Sequence, residues 1–105
     1  MSMECIFCRI VNKEVPTEVV YEDEDILVFP DIRPKASIHL LLVPKKHIST
    51  LQEVEESDTE LMGRLLLTAQ KVAREKQLKG YKLAMNVGKD GEQEINHLHL
   101  HFLAS

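Results

Sequence analysis

Read as apolar and polar positions, the chain changes period several times. From residue 58 to about 78, apolar side chains recur every three or four positions, as Leu61, Met62, Leu65, Leu66, Ala69, Val72 and Ala73. That is the 3.6-residue period of an amphipathic helix. Ser57 followed by Glu60 has the form of a capping box, and Gly80 stands past the far end, so both ends are marked. Strand-like runs lie at 18–21, 26–29, 38–43, 82–87 and 97–103, separated by turn-rich pieces such as "DIRPKAS" and "GKDGEQ". Residues 5–11 form a candidate short helix, closed off before Pro16. The order β-β-β-α-β-β predicts an α+β fold, without the alternation of a parallel doubly wound sheet. No internal repeat or linker interrupts it, and 105 residues make one domain, 1–105, with one modest core.

Composition narrows the function classes. Hydrophobic residues are 44% and charged residues 29%, the balance of an ordinary globular protein. A net charge of −4 argues against a sequence-independent grip on nucleic acid, so any phosphate is expected to be bound locally. The longest apolar runs, such as 38–43, are too short for a bilayer. The start "MSMECIFC" lacks a basic segment followed by a hydrophobic stretch. The expectation is a cytoplasmic protein with no membrane partner. Its only cysteines stand as Cys5-Ile-Phe-Cys8, which in a reducing compartment suggests a metal or redox role more than a structural disulfide.

The segment "NHLHLHFL" holds three of the five histidines, His97, His99 and His101. On a strand, residues two apart share a face, so these imidazoles project together while Leu98, Leu100 and Phe102 turn to a core. Neighbours in such a row are roughly 7 Å apart at the backbone and the outer pair roughly 13 Å. One ion can take adjacent members, but three cannot converge on it, which predicts divided labour. The alternative is a polar outer face on an edge strand.

This pattern resembles the signature of the histidine-triad family, His-φ-His-φ-His-φ-φ with φ apolar. "CIFCRIVNKEVP", "VYEDEDILVFPDIRP", "HLLLVPKKHIS" and "NVGKDGEQE" resemble its bacterial nucleotide-binding branch, in order and over almost the whole chain. The resemblance implies a five-stranded antiparallel sheet with one long helix and a short N-terminal helix, paired as a homodimer. It implies hydrolysis of purine nucleoside phosphoramidates, conjugates of AMP or GMP. His99 would be the nucleophile, His101 would bond the phosphate and His39 would lie nearby. Asp31 would hold the ribose hydroxyls, Phe7, Phe29 and Ile32 would form the base pocket, and Asn86 and Gln93 would contact the phosphate. Independently of the family, neutral imidazole is a good nucleophile near pH 7, and a phosphoryl-imidazolium is a good leaving group. A nucleotide-binding regulatory or adaptor module with weak catalysis is the alternative from another class.

Two thiolates three residues apart make half of a tetrahedral zinc site. The resemblance supplies His47 and His97 as the other half, implying one structural zinc per chain; reduced thiols or a redox pair are the alternatives. The chain departs from the family where many members carry Gly-Gly-Gln. Here it reads Gly91-Glu92-Gln93, a carboxylate beside the expected phosphate.

Overall fold

The long helix and all five strands form where the periodicity puts them, but their ends differ in instructive ways. In the computed structural model, which describes residues 5–105, helix α1 is Ile6–Val11. Strands β1 to β3 are Tyr21–Glu22, Ile26–Pro30 and Ile38–Pro44. Helix α2 is Thr59–Glu75, β4 is Lys82–Ala84 and β5 is Leu100–Ala104. The strands make one antiparallel sheet in the order β1-β2-β3-β5-β4.

The sheet is covered on both faces at its centre, which is why Ile26-Leu-Val-Phe29 is an unbroken apolar run. Ile26, Val28, Leu40, Leu42 and Phe102 pack with Leu65, Ala69, Val72 and Ala73 of α2. Leu27, Phe29, Leu41 and Val43 point the other way and pack with Phe7 and Ile10 of α1. The short α1 covers only part of its face. Beyond its end, that face is taken up by His39 of β3 and His101 of β5, whose neighbours in the register are Leu103 and Leu41.

A proline sets one of the strand ends that the hydrophobic pattern overruns. The run expected at 97–103 enters the ladder only at Leu100, paired with Leu42. Two residues earlier the same register sets Leu98 opposite Pro44, which has no N–H to give. Leu98 donates instead to the Ile48 carbonyl at 2.7 Å, so His97 and His99 lie just outside the strand. The first strand, expected at 18–21, is only Tyr21–Glu22: Tyr21 pairs with Val28, and the Val20 amide donates to the carbonyl of that same Val28, which breaks the regular register ahead of the strand. The run expected at 82–87 stops at Ala84 because residues 86–93 bond to one another instead: Asn86 Nδ2 donates to the Gly91 carbonyl and the Gly88 amide to Gln93 Oε1.

Both ends of α2 use residues other than those expected. The entry is a 3-10 turn, Glu56–Asp58, boxed reciprocally by Glu55 and Asp58 in place of Ser57 and Glu60. At the exit Gln77 adopts the left-handed conformation, with φ of 58°, and the Gln77 and Leu78 amides donate to the Arg74 and Ala73 carbonyls. This is a Schellman turn built without glycine; Gly80 lies beyond it. Leu66, expected in the buried stripe, is 57% exposed beside Leu67. No helix among the described residues is long and apolar enough to cross a membrane.

Candidate active site and metal centre

Cys5 and Cys8 sit at the start of α1, where Cys5 is the N-cap and its sulfur accepts from the Cys8 amide. The helix docks against the segment before β5 and so brings both sulfurs to His97, with His47 entering from the loop after β3. Cys5 Sγ lies 3.3 Å from His97 Nδ1, Cys8 Sγ 3.2 Å from His47 Nδ1 and 3.6 Å from His97 Nδ1, and the two Nδ1 atoms 3.2 Å apart. A tetrahedral zinc with Zn–N of about 2.05 Å and Zn–S of about 2.3 Å sets N–N edges near 3.3 Å and N–S edges near 3.6 Å. These four edges lie within about 0.4 Å of those values.

The surroundings agree with the donor set. His97 Nε2 lies 2.7 Å from the Pro44 carbonyl. A carbonyl only accepts, so the ring carries its hydrogen on Nε2 and turns the Nδ1 lone pair toward the sulfurs, the second contact that metal-ligating histidines usually make. His97 is fully buried, and burial pushes its pKa down to about 4 despite that hydrogen bond. The ring is therefore held neutral, the form that ligates.

Two residues on, the same logic assigns a different role. His99 Nδ1 donates to the His97 carbonyl at 2.7 Å, which leaves Nε2 as a bare lone pair. Phe7 meets the His99 ring edge-on, with centroids 5.1 Å apart, and fixes its plane. His101 faces His39, with His39 Nε2 2.9 Å from His101 Nδ1. Burial, with the neighbouring His99 and His39, holds the His101 pKa below its ordinary value.

His99 and His101 line a cleft of about 900 Å³. Phe7 and Phe29, expected in the base pocket, are both buried in its wall. Ile32 also lines the cleft but is 90% exposed, a rim residue. Asp31 lies on the wall with Oδ1 accepting from the Arg33 amide and Oδ2 3.4 Å from His39 Nε2; it is both the turn former its sequence context suggests and a group of the site. Asn86 and Gln93 line the cleft too, yet their amides staple the loop, with Gln93 Nε2 donating to the Ser49 and Ile95 carbonyls. Glu92 lines it in the left-handed conformation, φ 63°, which explains why glycine suits this position.

The structure thus gathers every expected site residue into two adjoining groups. Sequence reasoning missed Arg33 and Lys35, which also line the cleft, and the Lys35 main-chain amide, which donates to His39 Nδ1 at 3.0 Å. The signal for the first two was their place beside Asp31; a main-chain donor leaves none.

The family model described as scavenger mRNA decapping enzyme C-terminal binding matches residues 4–105. Protein HitA of Neisseria gonorrhoeae is 41% identical over 102 residues, spanning 96% of this chain and 95% of that protein. The crystal structure of a HIT family hydrolase from Legionella pneumophila Philadelphia 1 has a TM-score of 0.94 at 47% identity, covering 97% of this chain and 93% of that one. A zinc-bound histidine triad family protein from Mycobacterium smegmatis has a TM-score of 0.83 at 35% identity, covering 98% and 76%. The chain belongs to the histidine-triad family.

Proposed function

We propose that the protein hydrolyses purine nucleoside phosphoramidates through a nucleotidyl-histidine intermediate on His99. The observation that carries this reading is the His99 tautomer: with Nδ1–H spent on the His97 carbonyl, the nucleophilic nitrogen is Nε2, in a cleft whose apolar wall suits a flat base. Nε2 attacks the α-phosphorus as the P–N bond breaks, and the amine leaves with a proton that the phosphoramidate group itself brings. Water then attacks phosphorus and breaks the N–P bond to His99, one of its protons staying on the released AMP or GMP and the other passing to solvent. The enzyme divides one hard displacement into two easier ones. Asp31 offers a carboxylate to the ribose hydroxyls, and Asn86 and Gln93 hold the 86–93 loop beside the phosphate. The hydrolase named in the Legionella structure supports this class of reaction.

Cys5, Cys8, His47 and His97 would hold one zinc, a reading supported by their geometry and by the zinc-bound relative. When bound, the ion supplies a crosslink between the start of the chain and its last strand, and no open position for chemistry. Such a site keeps its thiols in a reducing compartment, in keeping with a cytoplasmic protein. A homodimer would cover Leu66 and Leu67, which leave an apolar patch on the outer side of α2.

The test is mass spectrometry of protein quenched during turnover of an adenosine phosphoramidate. The expected result is one AMP attached to His99. Tight AMP binding with no covalent adduct and no turnover would instead identify a nucleotide-binding adaptor.

A further inference from the structure

The hydrogen bonds running from the "DIRPKAS" turn to β5 determine where hydrogen sits on two imidazoles. The Lys35 main-chain amide lies 3.0 Å from His39 Nδ1. An amide N–H only donates, so His39 Nδ1 is a lone pair and the hydrogen of the neutral ring sits on Nε2. That Nε2 is 2.9 Å from His101 Nδ1. It donates there, which makes His101 Nδ1 an acceptor and places the hydrogen of His101 on its own Nε2, on the side of the ring away from His39. Asp31 Oδ2, 3.4 Å from His39 Nε2, is a second and weaker acceptor for the same hydrogen. Its carboxylate is oriented by the Arg33 amide on Oδ1.

The same three side chains, Asp31, His39 and His101, come within 4.8 Å of one another at their ligating atoms. Two observations separate them from a metal site. The N–N distance of 2.9 Å is a hydrogen bond's, shorter than the edge of about 3.3 Å around tetrahedral zinc. The Lys35 amide also forces a hydrogen onto the very nitrogen that would have to ligate.

We propose that His39 and the Lys35 main-chain amide are positioning groups that lock His101 as a neutral donor, aimed through Nε2–H at an oxygen of the substrate's α-phosphate. This rests on the reading of the cleft as a nucleotidyl-transfer site. A donor of this kind stabilises charge that develops on phosphate oxygen without having to gain or lose a proton during the cycle. His101 is then the phosphate clamp, and the proton on the departing amine is one that the phosphoramidate group itself brings.

The experiment compares His39→Gln, which keeps a donor at the end of a side chain of similar reach, with His39→Glu, which puts an acceptor there. Imidazole 15N NMR reads the His101 tautomer directly. Wild type and His39→Gln should carry hydrogen on Nε2, and His39→Glu on Nδ1. On an adenosine phosphoramidate, kcat of the Gln variant should exceed that of the Glu variant by about 100-fold, the scale of one preorganised donor to a reacting oxyanion, with a smaller difference in AMP affinity. A wild-type His101 protonated on Nδ1, or equal kcat in the two variants, would overturn the inference. The NMR arm needs no substrate: the expected tautomers in a protein that turns over no phosphoramidate would retire the functional reading while the lock stood.

Discussion

Two pairs of imidazoles in this chain look alike and do opposite things. His47 and His97 bring their Nδ1 atoms to 3.2 Å, and His39 and His101 bring nitrogen to nitrogen at 2.9 Å. In the first pair the His97 hydrogen is drawn off by the Pro44 carbonyl, so a lone pair and two sulfurs converge on one point, where the proposed zinc would sit. In the second, the Lys35 amide fills one lone pair and pushes a hydrogen between the rings, so no ion is needed. Backbone groups a few ångströms behind each ring decide whether a histidine pair ligates a metal or passes a hydrogen bond.

The sharpest way to break this division is to remove one histidine at a time. His99→Ala takes away the nucleophile and should lower kcat by at least about 10³-fold, as losing a nucleophile does elsewhere, while AMP still binds. Substantial remaining turnover would move the nucleophile to another residue. His97→Ala should instead abolish zinc binding and lower fold stability, whereas His101→Ala keeps the metal and loses rate.

Chelation comes next in size. Purified protein should contain close to one zinc per chain, and stripping it should cost several kcal/mol of stability, since metal binding here is coupled to folding. Elemental analysis and thermal melts check this, and metal-free protein with an unchanged melting temperature would dissolve the contrast between the two pairs.

In the metal-free protein, pH reads the burial of one ring of each pair, since His97 and His101 are both held below the ordinary imidazole value. His97 has a folded pKa of about 4 against about 6.5 unfolded. Between these values the unfolded chain holds a proton that the folded one lacks, so stability falls as pH drops from about 6.5 to about 4 and is flat above. The His97 share of the loss is of the order of 3 kcal/mol, at about 1.4 kcal/mol per pKa unit. Urea denaturation at a series of pH values measures it, and His97→Gln should remove that share and leave the slope that His101 adds in the same direction.

The smallest effect sharpens the cleft. Glu92 sits at φ 63°, a conformation costing a non-glycine residue about 1 kcal/mol, and it lines the cleft. Glu92→Gly should stabilise the fold by about that amount. If the carboxylate lies about 6 Å from bound phosphate, AMP affinity should rise roughly threefold, less at high salt. Calorimetry at two salt concentrations tests it; a loss of activity confined to lysyl phosphoramidates would mean that Glu92 recognises a cationic leaving group.

The alternation His97, His99, His101 made divided labour legible before any coordinates, because three imidazoles on one extended row cannot meet at one ion. The helix stripe and the two-faced sheet were equally plain from apolar spacing. The same pattern hid the strand ends: whether Pro44 stops a ladder depends on which residue lies across from it, and that register exists only after pairing. Gln77 closes α2 where glycine would have announced the turn. The Lys35 amide lay beyond reach for a simpler reason, since a main-chain donor carries no side-chain letter.

The proposed zinc site also has a place in time. Cys5 and His97 are 92 residues apart, and α1, which carries the thiols, packs on strands that complete themselves only when β5 joins between β3 and β4. A chain emerging from the ribosome therefore shows its two thiols long before their imidazole partner exists, and contacts of such separation close late. Metal capture is then expected to be the final latch of folding: in refolding followed by stopped flow, zinc uptake should trail burial of the α2 face, and uptake that came first would reverse the order.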